Sequence, residues 1–142
     1  MKVIISEGIA TSGKTTIKNA LIKEFKDQGL SYKFIDEEEI LIPIPESTDR
    51  QVAINFLLNI FERIFNSSDK NDVILFDRLY FTHVFRTNSN IDDFQEIENI
   101  LSRFDTTLVI LTINEEKIPD RIFNCHETQR GWLGKICQKE RK

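Results

Sequence analysis

Three stretches of the chain are short, nearly continuous apolar runs. They are 2–6 (KVIIS), 72–76 (DVILF) and 107–113 (TLVILTI). Runs of this length and composition predict strands covered on both faces of a sheet. A fourth stretch, 31–36 (SYKFID), alternates apolar and polar residues and predicts a strand nearer an edge. Between these runs the apolar spacing becomes helical. Lys14 to Asp27 places Ile17, Leu21, Ile22 and Phe25 on one face, and Gly29 stands just past its end. Asp49 to Asn66 does the same with Val52, Phe56, Leu57, Ile60, Ile64 and Phe65, after a break at Pro43 and Pro45. A short helix is predicted around Phe81 to Arg86. Another runs from Asp93 to Arg103, and a last one starts from an N-cap at Asn114 and runs through Arg121. Strand and helix alternate throughout, which predicts one α/β domain over 1–142, a three-layer sandwich around a mostly parallel sheet.

The link between the first strand and the first helix carries chemistry. Gly8-Ile9-Ala10-Thr11-Ser12-Gly13-Lys14-Thr15 fits G-x-x-x-x-G-K-[ST]. Such a loop must curl until successive backbone N–H groups converge on one cluster of phosphate oxygens, and glycine permits that curl. The helix behind it adds free N–H groups and the positive end of its dipole. Lys14 then reaches the β- and γ-phosphates, and the Thr15 hydroxyl ligates Mg²⁺. Thr16 either backs up Thr15 or serves as an ordinary first-turn residue. The pattern alone arises in about one random chain of this length in two hundred. Here it also sits between an apolar strand and an amphipathic helix, the context that the mechanism needs. Ala10, Thr11 and Ser12 complete the predicted nucleotide cradle.

Composition narrows the partners. Apolar residues make up 40% of the chain and charged residues 30%, an ordinary globular balance. No apolar run approaches the ~20 residues of a membrane helix. The chain enters a strand pattern at once, which predicts no signal peptide. Cys125 and Cys137 match no zinc or redox spacing, and a reduced, cytoplasmic setting is the default. A net charge of −4 argues against a broad nucleic-acid surface but not against a small phosphorylated ligand held by local groups. A homodimer stays open.

Asp77 follows the third strand and should stand at the carboxyl end of the sheet, where ligands bind in this architecture. A carboxylate there can hold Mg²⁺ or take a proton from an attacking hydroxyl. Arg78 can hold an acceptor, or its phosphate, as a bidentate donor.

With these residues in place, the chain resembles the thymidylate kinase and deoxynucleoside kinase branch of P-loop kinases. The likeness rests on SEGIATSGKTT, with Glu7 before the loop, on FDR after the third strand, and on LTINEEKIPDR at 111–121. It covers roughly residues 1 to 130. The resemblance implies the P-loop NTPase fold and transfer of the γ-phosphate of ATP, with Mg²⁺, to a nucleoside or nucleoside monophosphate. It implies that Lys14 and Thr15 serve ATP and Mg²⁺, and that Asp77 and Arg78 serve the metal or the acceptor. Arg121 opens a lid at about 117–135, and Arg121, with Arg130 as a second candidate, stabilises charge on the transferring group. Within the acidic run IDEEEI, Glu37 is the nearest match to the catalytic base of deoxynucleoside kinases; a solvated acidic run is the other reading.

Three departures qualify the likeness. Ala10 and Thr11 stand where thymidylate kinases carry an acidic residue. The family's second lid arginine falls near Cys125. The family continues past the lid with a helix, a fifth strand and an adenine loop, so the fold is expected to be shortened at its C-terminus. Other P-loop classes fit less well. A switch GTPase needs D-x-x-G and N-K-x-D, and neither occurs. An ATPase module places a second acid after the aspartate, where this chain has Arg78. A non-catalytic nucleotide-binding domain remains the alternative.

Overall fold

The computed structural model describes residues 1–40, 44, 49–67 and 70–123. Among these residues four strands, β1 (Lys2–Gly8), β2 (Tyr32–Ile35), β3 (Val73–Asp77) and β4 (Asp105–Leu111), form one sheet in the order β2-β3-β1-β4, parallel throughout. Among the described residues six α-helices connect and cover them: α1 (Lys14–Asp27), α2 (Glu37–Ile40), α3 (Arg50–Phe65), α4 (Tyr80–Thr87), α5 (Gln95–Leu101) and α6 (Ile118–Phe123). No helix among the described residues is long and apolar enough to cross a membrane.

The pleat of β1 sorts the core into two layers. Val3 and Ile5 point to the side packed by Ile54, Leu57, Phe61 and Ile64 of α3 and by Ile97 and Leu101 of α5. Ile4 points to the opposite side, against Phe25, Leu21 and Ile22 of α1. The result is helix, sheet, helix. Phe61 of α3 stacks on Phe76 of β3 with ring centroids 5.2 Å apart, which fixes the helix over the middle of the sheet.

The helix ends follow from local chemistry. Leu30 N–H donates to the Phe25 carbonyl at 2.8 Å and Gly29 N–H to Lys26 at 3.1 Å, the paired bonds of a Schellman end. At the start of α3, Asp49 Oδ1 accepts from Gln51 N–H at 2.8 Å, a cap worth about 1 kcal/mol.

Two expectations are corrected. The buried face of α3 is Ala53, Ile54, Leu57, Ile60, Phe61 and Ile64, and Val52 is exposed. The apolar residues of this helix cover about two-thirds of its circumference, so spacing alone did not choose the face. The run at 107–113 forms a strand at 105–111 that lies on an edge, with Leu108 and Ile110 exposed, not a strand covered on both faces. The alternating strand β2 does lie on the opposite edge.

Candidate functional site

β1 lies between β3 and β4, so its carboxyl end opens at the centre of the sheet. The Gly8–Thr15 loop starts there. Gly8 has φ 152°, and a Cβ on it would meet Ser12 Oγ at 2.6 Å and the Leu111 carbonyl at 2.7 Å. Its close approach to the end of β4 is therefore open to glycine alone. Gly13, at φ 100°, is the N-cap of α1 and turns the chain into the helix. The first-turn N–H groups of Lys14, Thr15 and Thr16 lie beyond the reach of any intrahelical acceptor. No side chain caps this end. The end of α1 is thus open to an anion.

Lys14 is buried, and its ammonium donates to the carbonyls of Gly8 at 2.9 Å and Ile9 at 3.1 Å. Burial and the Arg78 charge lower its pKa, while Asp77, Glu37 and Glu7 pull it back up. These same groups place the cation among three carboxylates and one guanidinium. Arg121 of α6 donates from Nη1 to the Thr11 carbonyl at 3.1 Å. Arg130 and the part of the expected lid beyond Phe123 lie outside the described residues, as do Cys125 and Cys137.

The third strand contributes the second wall. Its register sets Ser6 opposite Asp77, so the loop and Asp77 leave the sheet side by side. Arg78 Nε stands 3.0 Å from Glu37 Oε2, and Nη1 donates to Thr82 Oγ1 at 3.2 Å. The acidic run divides its work. Asp36 Oδ1 accepts from Glu38 N–H at 2.8 Å and caps α2, which leaves Glu37 to face Arg78.

Four buried oxygens around this centre have no hydrogen-bond partner among the described residues: Asp77 Oδ1, Thr11 Oγ1, Ser12 Oγ and Ser6 Oγ. An orphaned carboxylate oxygen beside a phosphate-type loop is the donor that a hard divalent cation takes. Among the described residues no group of three His, Cys, Asp or Glu side chains could hold a metal on its own. A cation here would complete its shell with water and ligand oxygens, as Mg²⁺ does.

Beside the loop lies a cleft of about 720 Å³, lined by Ile9, Phe81, Ile110, Ile113 and Ile118, with Glu7, Arg78, Thr82, Thr112 and Glu115 as its polar members. Ile9, Phe81 and Ile110 are exposed, so an apolar patch surrounds the loop. Sequence reasoning gave no part in this cleft to Ile9 or to β4. It also gave no role to Glu7. The signal for Glu7 was a charged residue inside the apolar first strand.

No family model matches the chain, and no curated protein matches it.

Proposed function

We propose that this protein is an ATP-dependent phosphotransferase with the P-loop NTPase fold. It moves the γ-phosphate to a small acceptor, a nucleoside or nucleoside monophosphate, in the manner of thymidylate and deoxynucleoside kinases. The observation that carries the reading is the Glu37–Arg78 pair at 3.0 Å, set beside the buried Lys14 and the Gly8–Thr15 loop. A generic phosphate cradle accounts for the loop and Lys14. It does not account for a carboxylate–guanidinium pair at the mouth of the next strand.

The roles follow from charge and position. The loop N–H groups and Lys14 hold the donor phosphates. Thr15 and Asp77 would hold Mg²⁺, which when bound neutralises charge on the β- and γ-phosphates. Glu37 accepts the proton of the acceptor hydroxyl as its oxygen bonds to the γ-phosphorus and the bond to ADP breaks. With a monophosphate acceptor, the attacking phosphate oxygen carries no proton to remove, and Arg78 holds that phosphate instead. Arg121 stands over the loop, where negative charge spreads during transfer. The adjoining cleft has the volume of a small-ligand site.

Following ADP with ATP, Mg²⁺ and a panel of nucleosides and monophosphates tests this reading. ADP release that depends on an acceptor supports it. Release at the same rate without an acceptor points to an ATPase, and tight ATP binding with no release points to a nucleotide-binding module.

A further inference from the structure

We propose that Glu7 is a positioning residue, which caps α4 from the neighbouring strand and thereby sets Arg78 against Glu37. The inference rests on the reading of Arg78 and Glu37 as the acceptor-side pair. Helix α4 has Leu79 at its N-cap, a residue that makes no side-chain cap bond. The missing cap comes from β1. Glu7 Oε1 accepts from Leu79 N–H at 2.7 Å and from Tyr80 N–H at 2.6 Å. A carboxylate at a helix start satisfies free donors and meets the positive end of the dipole.

Glu7 is 1% exposed, and that burial raises its pKa against the pull of these N–H groups and of Arg78. Keeping a carboxylate in such a place is costly, and a serine or aspartate at position 79 would cap the helix locally without it. The distant cap does something that a local one cannot. Arg78 has φ 70°, a conformation that non-glycine residues rarely adopt. Its own N–H donates to the Ser6 carbonyl at 2.8 Å. Ser6 and Glu7 therefore hold the backbone on both sides of Arg78. From that backbone the guanidinium reaches Glu37 and Thr82. Glu7 is also bonded directly to Gly8, so the residue that sets Arg78 is the one from which the phosphate loop departs. The acceptor side and the donor side share one anchor.

The test uses the full chain and Glu7→Gln, which keeps the shape and loses the charge. Nuclear magnetic resonance should show amide exchange at Leu79 and Tyr80 at least tenfold faster. The Arg78 Nε–H resonance should move toward its position in Glu37→Gln. In kinetics, kcat should fall at least tenfold while the Kd for ADP stays within twofold. In an Arg78→Ala background, Glu7→Gln should change kcat by less than twofold, a non-additivity that a general loss of stability does not produce. Wild-type exchange rates and an unmoved Arg78 resonance in Glu7→Gln would overturn the proposal. So would full additivity with Arg78→Ala. If Glu7→Gln does not fold, the wild type reads the contact. The Leu79 and Tyr80 amide shifts must titrate together with the Glu7 carboxyl carbon, and independence of the two overturns the assignment. If the wild type turns over no acceptor, the kinase reading falls and the resonances still decide the role of Glu7.

Discussion

Arg78 Nε and Glu37 Oε2 stand 3.0 Å apart, joining the exit of β3 to the first turn of α2. Arg78 is mostly buried and Glu37 about 40% exposed, so solvent screens the pair and its share of stability is modest, under about 1 kcal/mol. Its predicted weight is in turnover. Glu37→Gln should lower kcat for a nucleoside acceptor by about 10²-fold or more. A denaturant titration of the same variant should move little. A loss of activity that merely tracks a loss of stability would remove Glu37 as the base.

Gly8→Ala probes the loop. The added methyl would press on Ser12 Oγ and the Leu111 carbonyl from a backbone at φ 152°. A backbone contact cannot swing away as a long side chain can, so the variant should lose about 1–3 kcal/mol. It should also lose binding of a fluorescent ADP analogue. Thermal melts and a binding titration check both, and a neutral outcome would mean that the loop does not approach β4 as described.

The face of α3 yields a paired prediction. Leu57 is fully buried and Val52 is exposed. Leu57→Ala should cost about 2–5 kcal/mol. Val52→Ala should stay within about 0.5 kcal/mol. Urea midpoints of the two variants separate the observed face from the one that spacing suggested.

Much of the site was legible in the sequence because its parts are local. Gly8 to Thr15 is one contiguous loop, and Asp77-Arg78 is marked by the end of an apolar strand. What spacing could not reveal is which strand lies beside which. Glu7 reads as one acid in an apolar run until the register of β1 with β3 brings it to Leu79 and Tyr80. The exposure of β4 was hidden for the same reason. Leu108 and Ile110 have the composition of a central strand, and only the sheet order puts them on an edge. The face of α3 was ambiguous because apolar residues at 52, 53, 54, 56, 57 and 58 offer several stripes.

Burial of Glu7 also predicts a pH dependence. Its carboxyl holds a proton more readily in the folded chain than in the unfolded one. The stability that this contributes is full below the ordinary glutamate range and is lost as pH rises through the raised value. Glu7→Gln removes the titration, while Lys14, Arg78 and Tyr80, which face the same carboxylate, remain. The wild type should therefore lose stability relative to Glu7→Gln as pH rises from below the ordinary glutamate range to above it. Urea midpoints of both proteins across that range check the sign, and a constant difference would contradict it.

The most direct measurement follows the label of γ-³²P-ATP in a single turnover with Mg²⁺, with and without a nucleoside or nucleoside monophosphate. Phosphoryl transfer predicts label on the acceptor, its near-complete loss in Lys14→Ala, and little free phosphate in either protein. Label released as inorganic phosphate at the same rate with or without acceptor, or label that stays on ATP under every condition, would contradict it.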